Sequence, residues 1–296
     1  MIVITAPTGT IGHQVLNNVL AADQPVRVIV RDPSRLAADV RDQVEVVKGS
    51  HGDPHVLAEA FDGADALFWL LPSDNASNLE DAFVGFTRPA AEAIRSQGVR
   101  RVVDITALGR TTAYAGQAGH VTASLAMDDL IASTGAAFRA LACPSFMDNL
   151  LRQAPVVKQR GTFFGVISPD RKAPSVATGD IAAVAARFLL DDTWTGQEEV
   201  PLLGPQDLSQ SDMAAIMSDV LGTPVRYQQI PGPALKDQMT GRGAPPAMAQ
   251  GLVDMMIAKD NGLDDGIART PQHATDTPTT FRQWCEDVLK PAVQAP

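Results

Sequence analysis

The residues with the clearest chemical potential stand near the start of the chain, in Thr5-Ala6-Pro7-Thr8-Gly9-Thr10-Ile11-Gly12. This segment follows a short apolar run and opens a stretch with helical spacing. In that context backbone N–H groups and a helix N-terminus face an anion, as a dinucleotide pyrophosphate requires. Gly9 would let the backbone approach closely, and Gly12 would let the helix pack tightly on the strand. Ala6 stands where the first glycine of this pattern is expected, yet the segment still predicts a phosphate-binding loop.

Two arginines follow the second apolar run, in Val28-Ile29-Val30-Arg31-Asp32-Pro33-Ser34-Arg35. Arg31 stands at the end of the strand, and Arg35 lies one helical turn further on. In folds that bind a dinucleotide, an acidic residue here holds the 2′-hydroxyl of NAD, whereas guanidinium groups match the 2′-phosphate of NADP. The sequence therefore favours NADP(H). Two alternatives stay open: Asp32 would serve an NAD ribose if it turned inward, and Arg35 could equally be an ordinary solvated residue.

The elements that must position these residues follow from the apolar pattern. Six short apolar runs lie at 2–5, 26–30, 44–47, 66–71, 102–105 and 138–142, with helical segments at 11–22, 54–61, 79–97 and 121–133. Such runs suit strands buried on both faces, and their alternation with helices is typical of βαβ units. We therefore predict an α/β fold with a doubly wound parallel sheet, a Rossmann domain, over residues 1–150.

The alternation of apolar runs with helical segments is less regular in the second half of the chain. It predicts helices at 179–190, 248–259 and 281–289, short strands at 199–203 and 225–230, and a loop rich in glycine and proline at 231–246. A capping-box pattern at 209–212 indicates a further helix start. Residues 151–296 are expected to form a smaller α/β lobe that binds the substrate and is interleaved with the first domain.

Composition excludes several classes of function. The net charge of −10 disfavours direct nucleic-acid binding and anionic membrane surfaces. Two cysteines make no disulfide framework, and no spacing of cysteine and histidine suggests zinc, so no metal is expected. His51 and His55 flank Asp53 without a metal-ligand pattern and are expected to be solvated. With no apolar stretch of membrane-spanning length and no signal-like leader, we expect a cytoplasmic protein.

The order and spacing of several motifs resemble the NmrA-like family of atypical short-chain dehydrogenases/reductases. Besides the loop at 6–12 and the segment at 28–35, they are Ala64-Asp65-Ala66-Leu67-Phe68, Gly98-Val99-Arg100-Arg101-Val102-Val103, Ser133-Thr134-Gly135 and Phe146-Met147-Asp148-Asn149. The resemblance covers the first 150 residues well and the rest loosely. It implies an NADP-type Rossmann domain and a smaller C-terminal lobe that closes a cleft over the nicotinamide. Members of the family include quinone and azo-dye reductases, isoflavone-type reductases, reductases that tailor aromatic polyketides, and redox-sensing regulators without catalysis.

The resemblance also implies positions for the cofactor contacts. The pyrophosphate would be contacted by Thr8, Gly9, Thr10, Ile11 and Gly12, and the 2′-phosphate by Arg31 and Arg35. The nicotinamide side would be lined by Leu71, Pro72, Thr106 and Ala107. Ser50 would contact the adenine side, in place of the family's aspartate.

The acid–base pair of most short-chain reductases is missing from this sequence. Tyr114 is followed four residues later by Ala118 where such enzymes have lysine, and no lysine occurs between Lys48 and Lys158. Reduction of a simple ketone creates an alkoxide that needs a proton donor. A quinone instead gains aromaticity and yields a phenolate, so binding and orientation suffice. The sequence therefore favours a quinone-like or polycyclic aromatic acceptor.

The candidate acceptor-binding residues are Tyr114, His120, Phe146 and Met147. His120 and Thr106 are the candidate catalytic residues, and His120 could equally be a surface residue at a helix start. Trp69 is expected to be structural, and Met255 and Met256 favour core packing.

Two hypotheses follow from these residues. The first is an NADPH-dependent reductase of an aromatic acceptor, with a role in natural-product tailoring among its possible settings. The second is a non-catalytic NADP(H) sensor that acts through a protein partner. A second protein component or a homo-oligomer is compatible with either hypothesis.

Overall fold

The computed structural model describes residues 1–71 and 76–295. By compactness the chain divides into two units that exchange segments along the sequence. The first unit comprises Met1–Thr106, Ala123–Ala142 and Ile181–Val200, and the second comprises Ala107–Thr122, Cys143–Asp180 and Pro201–Pro296. The chain thus passes between the two units several times.

The first unit is built on a seven-stranded sheet. Its strands are β1 (Ile2–Ile4), β2 (Val26–Val30), β3 (Glu45–Lys48), β4 (Ala66–Trp69), β5 (Arg101–Ala107), β6 (Ala137–Cys143) and β10 (Gln197–Pro201). They lie in the order β10-β6-β5-β4-β1-β2-β3, and the pairs from β3 to β5 run parallel. This is the doubly wound order, in which the crevice between β1 and β4 is the switch point where ligands bind.

The helices of this unit alternate with its strands along the chain. They are α1 (Thr10–Leu20), α2 (Ala38–Arg41), α3 (Pro54–Phe61), α4 (Phe86–Gln97), α5 (His120–Ala132) and α7 (Thr178–Leu190). A π-helical turn at Asp81–Gly85 leads into α4, and Gly98 ends α4 in the left-handed conformation, with φ of 71°. Apolar side chains of α3, α4 and α5 pack with those of the strands in one buried cluster.

The second unit has two small sheets and several helices. Its strands are β7 (Ser145–Phe146), β8 (Thr162–Gly165), β9 (Ala173–Val176), β11 (Asp207–Leu208) and β12 (Arg226–Gln229), and its helices are α6 (Ala154–Arg160), α8 (Gln210–Leu221), α9 (Gly232–Gly241), α10 (Pro246–Asp260), α11 (Pro271–Asp276), α12 (Phe281–Trp284) and α13 (Lys290–Gln294). The sheets are β11-β9-β7 and the parallel pair β12-β8. Phe163, Met217, Phe281 and Trp284 lie in its buried core.

The structure confirms the predicted fold class and all six strands predicted in the first half of the chain. The capping box also forms, since the Ser209 side chain accepts from the Asp212 N–H and the Asp212 side chain accepts from the Ser209 N–H. The strand predicted near residue 199 belongs to the large sheet. The loop predicted at 231–246 is wrong, because α9 begins there; Pro233 is tolerated in its first turn, where the backbone N–H has no helical partner.

Across the described ranges, none of the helices combines the length and apolar character that crossing a bilayer would demand.

Candidate cofactor site

The loop after β1 takes a conformation that depends on small residues. Ala6 adopts the left-handed conformation, with φ of 48°, although it is not glycine. A Cβ added at Gly12 would lie 2.1 Å from the Ala6 carbonyl oxygen, and one at Gly9 would lie 3.3 Å from the same atom. Gly12 therefore lets the first turn of α1 close onto the loop, and any larger residue would push the Ala6 peptide away.

The N-terminus of α1 is arranged to receive an anion. Gly9 is the N-cap residue, and among the described residues no side chain caps the helix and no acidic residue stands in its first turn. The Gly9 N–H donates to the Ala6 carbonyl at 3.0 Å, which closes the loop beneath the helix. The first N–H groups of a helix have no partner within the helix, and together with the positive end of the helix dipole they favour a phosphate group.

A cavity of about 340 Å³ opens beside this helix end. It brings together three segments of the first unit, the loop after β1, the end of β2 and the loop after β3. Its walls are formed by Ala6, Pro7, Thr8, Gly9, Ile29, Val30, Arg31, Asp32, Arg35, Gly49 and His51. Four of the residues expected to bind the cofactor therefore share one cavity: Thr8, Gly9, Arg31 and Arg35.

The arginine side of the cavity carries a cationic pair. Arg31 and Arg35 are both exposed, and in the described ranges neither guanidinium forms an ion pair. The Asp32 carboxylate instead accepts the Ser34 hydroxyl at 2.7 Å and the Ser34 N–H at 3.1 Å, which caps the turn Pro33–Arg35. These hydrogen bonds, with the Arg35 charge, hold the pKa of Asp32 below its ordinary value. Asp32 thus serves the turn, and the arginines remain available to an anion.

His51 also lines the cavity, which the sequence did not predict. It was expected to be solvated but is 7% exposed, with Nε2 at 3.1 Å from the Leu70 carbonyl oxygen. Its ring meets the rings of Trp69 and Phe86 edge-on. Its position directly after a buried strand, at the carboxyl edge of the sheet, was the signal that could have identified it. His55 is exposed.

The other predicted cofactor residues of the first unit do not line the cavity. Thr10 is exposed at the helix start, and Ile11 and Gly12 are buried beneath it. The Ser50 hydroxyl accepts the Gly52 N–H at 3.2 Å, and Leu71 packs against the apolar core. Pro72 lies outside the described residues.

Thr106, one of the two predicted catalytic residues, is part of a buried hydrogen-bond network. It is buried at the end of β5, and its hydroxyl donates to Asp128 Oδ2 at 2.7 Å and lies 3.0 Å from the Ser124 hydroxyl. Asp128 and Ser124 stand one helical turn apart on α5. The hydroxyl proton of Thr106 is thereby held in a network that ties β5 to α5.

In the second unit, the segment Ala107–Thr122 packs on α10. Half-buried Ala107 closes β5, and Tyr114 is 38% exposed. His120 Nε2 donates to the Met248 carbonyl at 3.0 Å, and a Cβ at Gly119 would lie 2.0 Å from the Gly251 carbonyl oxygen. Burial lowers the pKa of His120, so its ring is neutral at pH 7.

The two remaining acceptor candidates differ in exposure. Phe146 is half-buried on β7, whereas Met147 is buried in the apolar core of the second unit. Met147 therefore has little surface to offer a ligand. Trp69 is buried, as expected of a structural residue, and Met255 and Met256 are half-buried on α10.

Comparison with known proteins finds reductases that are similar in sequence and in structure. An NAD(P)H azoreductase from Xenophilus azovorans is 28% identical over 289 residues, which is 97% of each chain. A (4-alkanoyl-5-oxo-2,5-dihydrofuran-3-yl)methyl phosphate reductase from Streptomyces griseus is 28% identical over 288 residues, or 96% of each chain. The structure of the NADPH-dependent quinone oxidoreductase of Escherichia coli in complex with NADPH superposes with a TM-score of 0.80 at 23% identity, covering 96% of this chain and 98% of that one.

A family model identifies the family. The model of the NmrA-like family matches residues 1–285, which confirms the resemblance of the sequence motifs and extends it through the second unit. The chain belongs to the NmrA-like family.

Proposed function

We propose that this protein is an NADPH-dependent reductase that transfers hydride directly to a conjugated acceptor, a quinone-like or polycyclic aromatic compound. The observation that carries the proposal is the cavity at the N-terminus of α1, which combines a phosphate-binding loop with the Arg31 and Arg35 guanidinium groups. A dinucleotide with a third phosphate on its adenosine ribose is the ligand that matches both features.

The residues present fit that cofactor. Gly9 and Gly12 leave the space that a Cβ would fill beside the Ala6 carbonyl, so the loop can close around a pyrophosphate. Arg31 and Arg35 supply local positive charge in a chain whose net charge is −10. NADPH supplies the hydride when it is bound. The chain itself binds and orients the dinucleotide, with the charged adenosine end held at the sheet edge.

Protonation of the reduced acceptor does not need a side chain of this protein, because the two candidate proton donors are held by other groups. The Thr106 hydroxyl is held by Asp128, and the Nε2 proton of His120 is held by the Met248 carbonyl. Hydride addition to a quinone yields a phenolate that water protonates, so no side chain needs to give a proton. An exposed ring at Tyr114, on a segment fixed to α10, is our proposed contact for a flat acceptor.

The names of the relatives support a conjugated acceptor. They concern an azo compound, an unsaturated lactone phosphate and a quinone. Each of these classes of compound contains a conjugated double bond to which hydride can be added. The acceptor of this chain is expected in the same chemical class.

Cofactor selectivity gives the experiment that tests the proposal. Arg31→Ala removes a charged hydrogen bond to phosphate, worth about 1.5–3 kcal/mol, so kcat/KM for NADPH should fall roughly 10- to 100-fold. The value for NADH should change by less than about threefold, because NADH has no 2′-phosphate. Arg41→Ala, an exposed arginine of α2 outside the cavity, is the matched control. Equal losses with both cofactors would contradict the proposal.

The rival function is a cofactor sensor without catalysis, which the absence of a Tyr–Lys pair from the sequence also allows. Steady NADPH oxidation with naphthoquinones, azo dyes or polycyclic quinones would exclude a sensor without catalysis. Tight NADPH binding with no turnover on any of these compounds would favour it.

A further inference from the structure

The segment that carries Tyr114 is fixed to α10 at the C-terminal end of the segment. His120 Nε2 lies 3.0 Å from the Met248 carbonyl oxygen. The backbone of Gly119 lies directly against that of Gly251, because a Cβ added at Gly119 would be 2.0 Å from the Gly251 carbonyl oxygen and 2.8 Å from the Gly251 Cα. Both contacts fall in the first half of α10, and they define the face of this helix on which the segment lies.

The N-terminal end of the same segment is fixed just beyond the last residue of α10. A Cβ added at Gly109 would lie 2.5 Å from Leu263 Cδ1, and Leu263 follows the end of the helix. Between the two fixed ends, the 3₁₀ turn Ala115–Gln117 packs against α10. The segment therefore runs along α10 in the opposite direction, and Tyr114, which directly precedes the turn, lies between the two fixed ends.

Met255 lies on the same face of α10, also between the two fixed ends. Because a helix turns by about 100° per residue, Met255 is displaced around the axis by about 20° from Met248 and by about 40° from Gly251. It stands one turn further along α10 than Gly251, alongside the stretch that contains Tyr114. The Met255 side chain is half-buried, so part of its surface is available to a ligand.

Met256 is the natural comparison for Met255. It is the next residue of α10, has the same side chain and is also half-buried. The same rotation places it about 80° from Met248 and about 140° from Gly251. Met256 therefore lies away from the face that meets the segment.

A thioether beside an exposed aromatic ring suits a flat conjugated ligand. The sulfur of methionine is polarisable and makes favourable contacts with aromatic rings. The Tyr114 ring, which is 38% exposed, offers a surface on which another ring can stack. A ligand with several fused rings covers more of both side chains than a ligand with one ring, so it gains more from them.

We propose that Met255 contacts the acceptor together with Tyr114 and makes the site selective for fused-ring acceptors over single-ring acceptors. The inference rests on the proposed function, since it takes a conjugated acceptor as the ligand. Met255 contributes binding surface only and takes no part in the transfer of hydride or of a proton. The cofactor cavity is lined by residues of the first unit, so we expect the affinity for NADPH to be independent of Met255.

Two quinones of different size and three variants test this assignment. Phenanthrenequinone represents the fused-ring acceptors and benzoquinone the single-ring acceptors, each measured at saturating NADPH with the uncatalysed rate subtracted. Met255→Ala removes the side chain, Met255→Leu keeps its volume without the sulfur, and Met256→Ala is the control. The dissociation constant for NADPH and the thermal unfolding of each variant are measured in parallel without acceptor.

The expected result is a loss that depends on the acceptor. For Met255→Ala, kcat/KM with phenanthrenequinone should fall about tenfold, mainly through a higher KM, because both the sulfur contact and the apolar surface are lost. With benzoquinone it should fall by less than about threefold, since one ring covers less of the side chain. Met255→Leu should lose about threefold with phenanthrenequinone. Met256→Ala should match the wild type with both quinones.

Several outcomes would overturn the role of Met255. Equal losses with the two quinones, or equal losses in Met255→Ala and Met256→Ala, would show that Met255 does not select the acceptor. A Met255→Ala protein that binds NADPH more weakly or unfolds at a lower temperature, with no change in the ratio of the two quinones, would make Met255 a structural residue. A wild-type protein that reduces neither quinone would contradict the proposed function itself.

Discussion

Replacing Gly12 with alanine tests how the phosphate loop is built. A Cβ at this position would lie 2.1 Å from the Ala6 carbonyl oxygen, 2.8 Å from the Ala6 carbonyl carbon and 3.3 Å from the Thr5 carbonyl oxygen. All three are backbone atoms, so no side-chain rotation can relieve the contact. The loop must move away from α1, and the space that would receive a pyrophosphate changes with it.

The expected magnitude comes from two opposing effects. Overpacking costs about 1–3 kcal/mol and occasionally more, and a 2.1 Å contact with backbone belongs at the upper end. Alanine is favoured over glycine within a helix by roughly 1 kcal/mol, which offsets part of that cost. We therefore expect a net loss of about 2 kcal/mol, which lowers Tm by about 4 °C or more.

Differential scanning calorimetry and an NADPH titration measure the two consequences for Gly12→Ala. Gly241→Ala is the matched control, because Gly241 also lies in a helix but has open space around its Cβ position. We expect the control to keep its Tm and its NADPH affinity, whereas Gly12→Ala loses both. A Gly12→Ala protein as stable as the wild type, with unchanged NADPH affinity, would refute the account of the loop.

Three further predictions concern groups away from the phosphate loop. Lys259 and Asp264 form a buried ion pair at 2.7 Å, so Lys259→Met should lower the free energy of unfolding by about 3–5 kcal/mol. The double variant Lys259→Met/Asp264→Leu should recover most of that loss, and chemical denaturation measures both variants. Because burial lowers the pKa of His120, His120→Gln, which can still donate to the Met248 carbonyl, should keep quinone turnover within about twofold from pH 6.5 to 8. A tenfold loss would instead make His120 the proton carrier. Burial raises the pKa of Cys285 to about 12, so its thiol should resist alkylation at pH 8.5 until the protein is unfolded. Mass spectrometry measures the labelling, and rapid labelling of the native protein would contradict the burial of this thiol.

Because of His120, the stability of the folded protein should decrease as the pH falls. Its folded pKa is lowered, so the unfolded chain binds the proton more readily. The stability contributed by the neutral ring is present above the ordinary pKa of about 6.5 and is lost as pH falls through that value. Wild type should therefore lose Tm between pH 7 and 5 relative to His120→Gln. A parallel pH dependence in both proteins would contradict this.

The sequence was sufficient to predict those elements of the fold that depend on interactions between residues close together in the chain. The apolar runs, the helical spacing and the Ser209 capping box are each set by neighbours in sequence, and all form where they were predicted. The loop between β1 and α1 also lies where it was predicted, with Ala6 in the left-handed conformation that glycine adopts more easily. An alanine at this position is thus compatible with the turn, at a conformational cost of about 1–2 kcal/mol.

The features that local patterns missed depend on distant partners. His51 becomes a cavity wall only because Leu70, Trp69 and Phe86 enclose it. The Thr106 hydroxyl donates to Asp128, a residue 22 positions away. The seventh strand, β10, reads as an ordinary short strand until its neighbour in the sheet is known. No residue type or spacing in these segments encodes such pairings.

The most direct test of the central claim is an anaerobic reaction of the purified protein with a naphthoquinone. NADPH consumed and hydroquinone formed are measured together, with NADPH and NADH compared at equal concentration. The proposed function predicts one hydroquinone per NADPH, no semiquinone radical, and a clear preference for NADPH that Arg31→Ala abolishes. NADPH that binds at the cavity but is not oxidised by the quinone or by azo and polycyclic aromatic acceptors would contradict it.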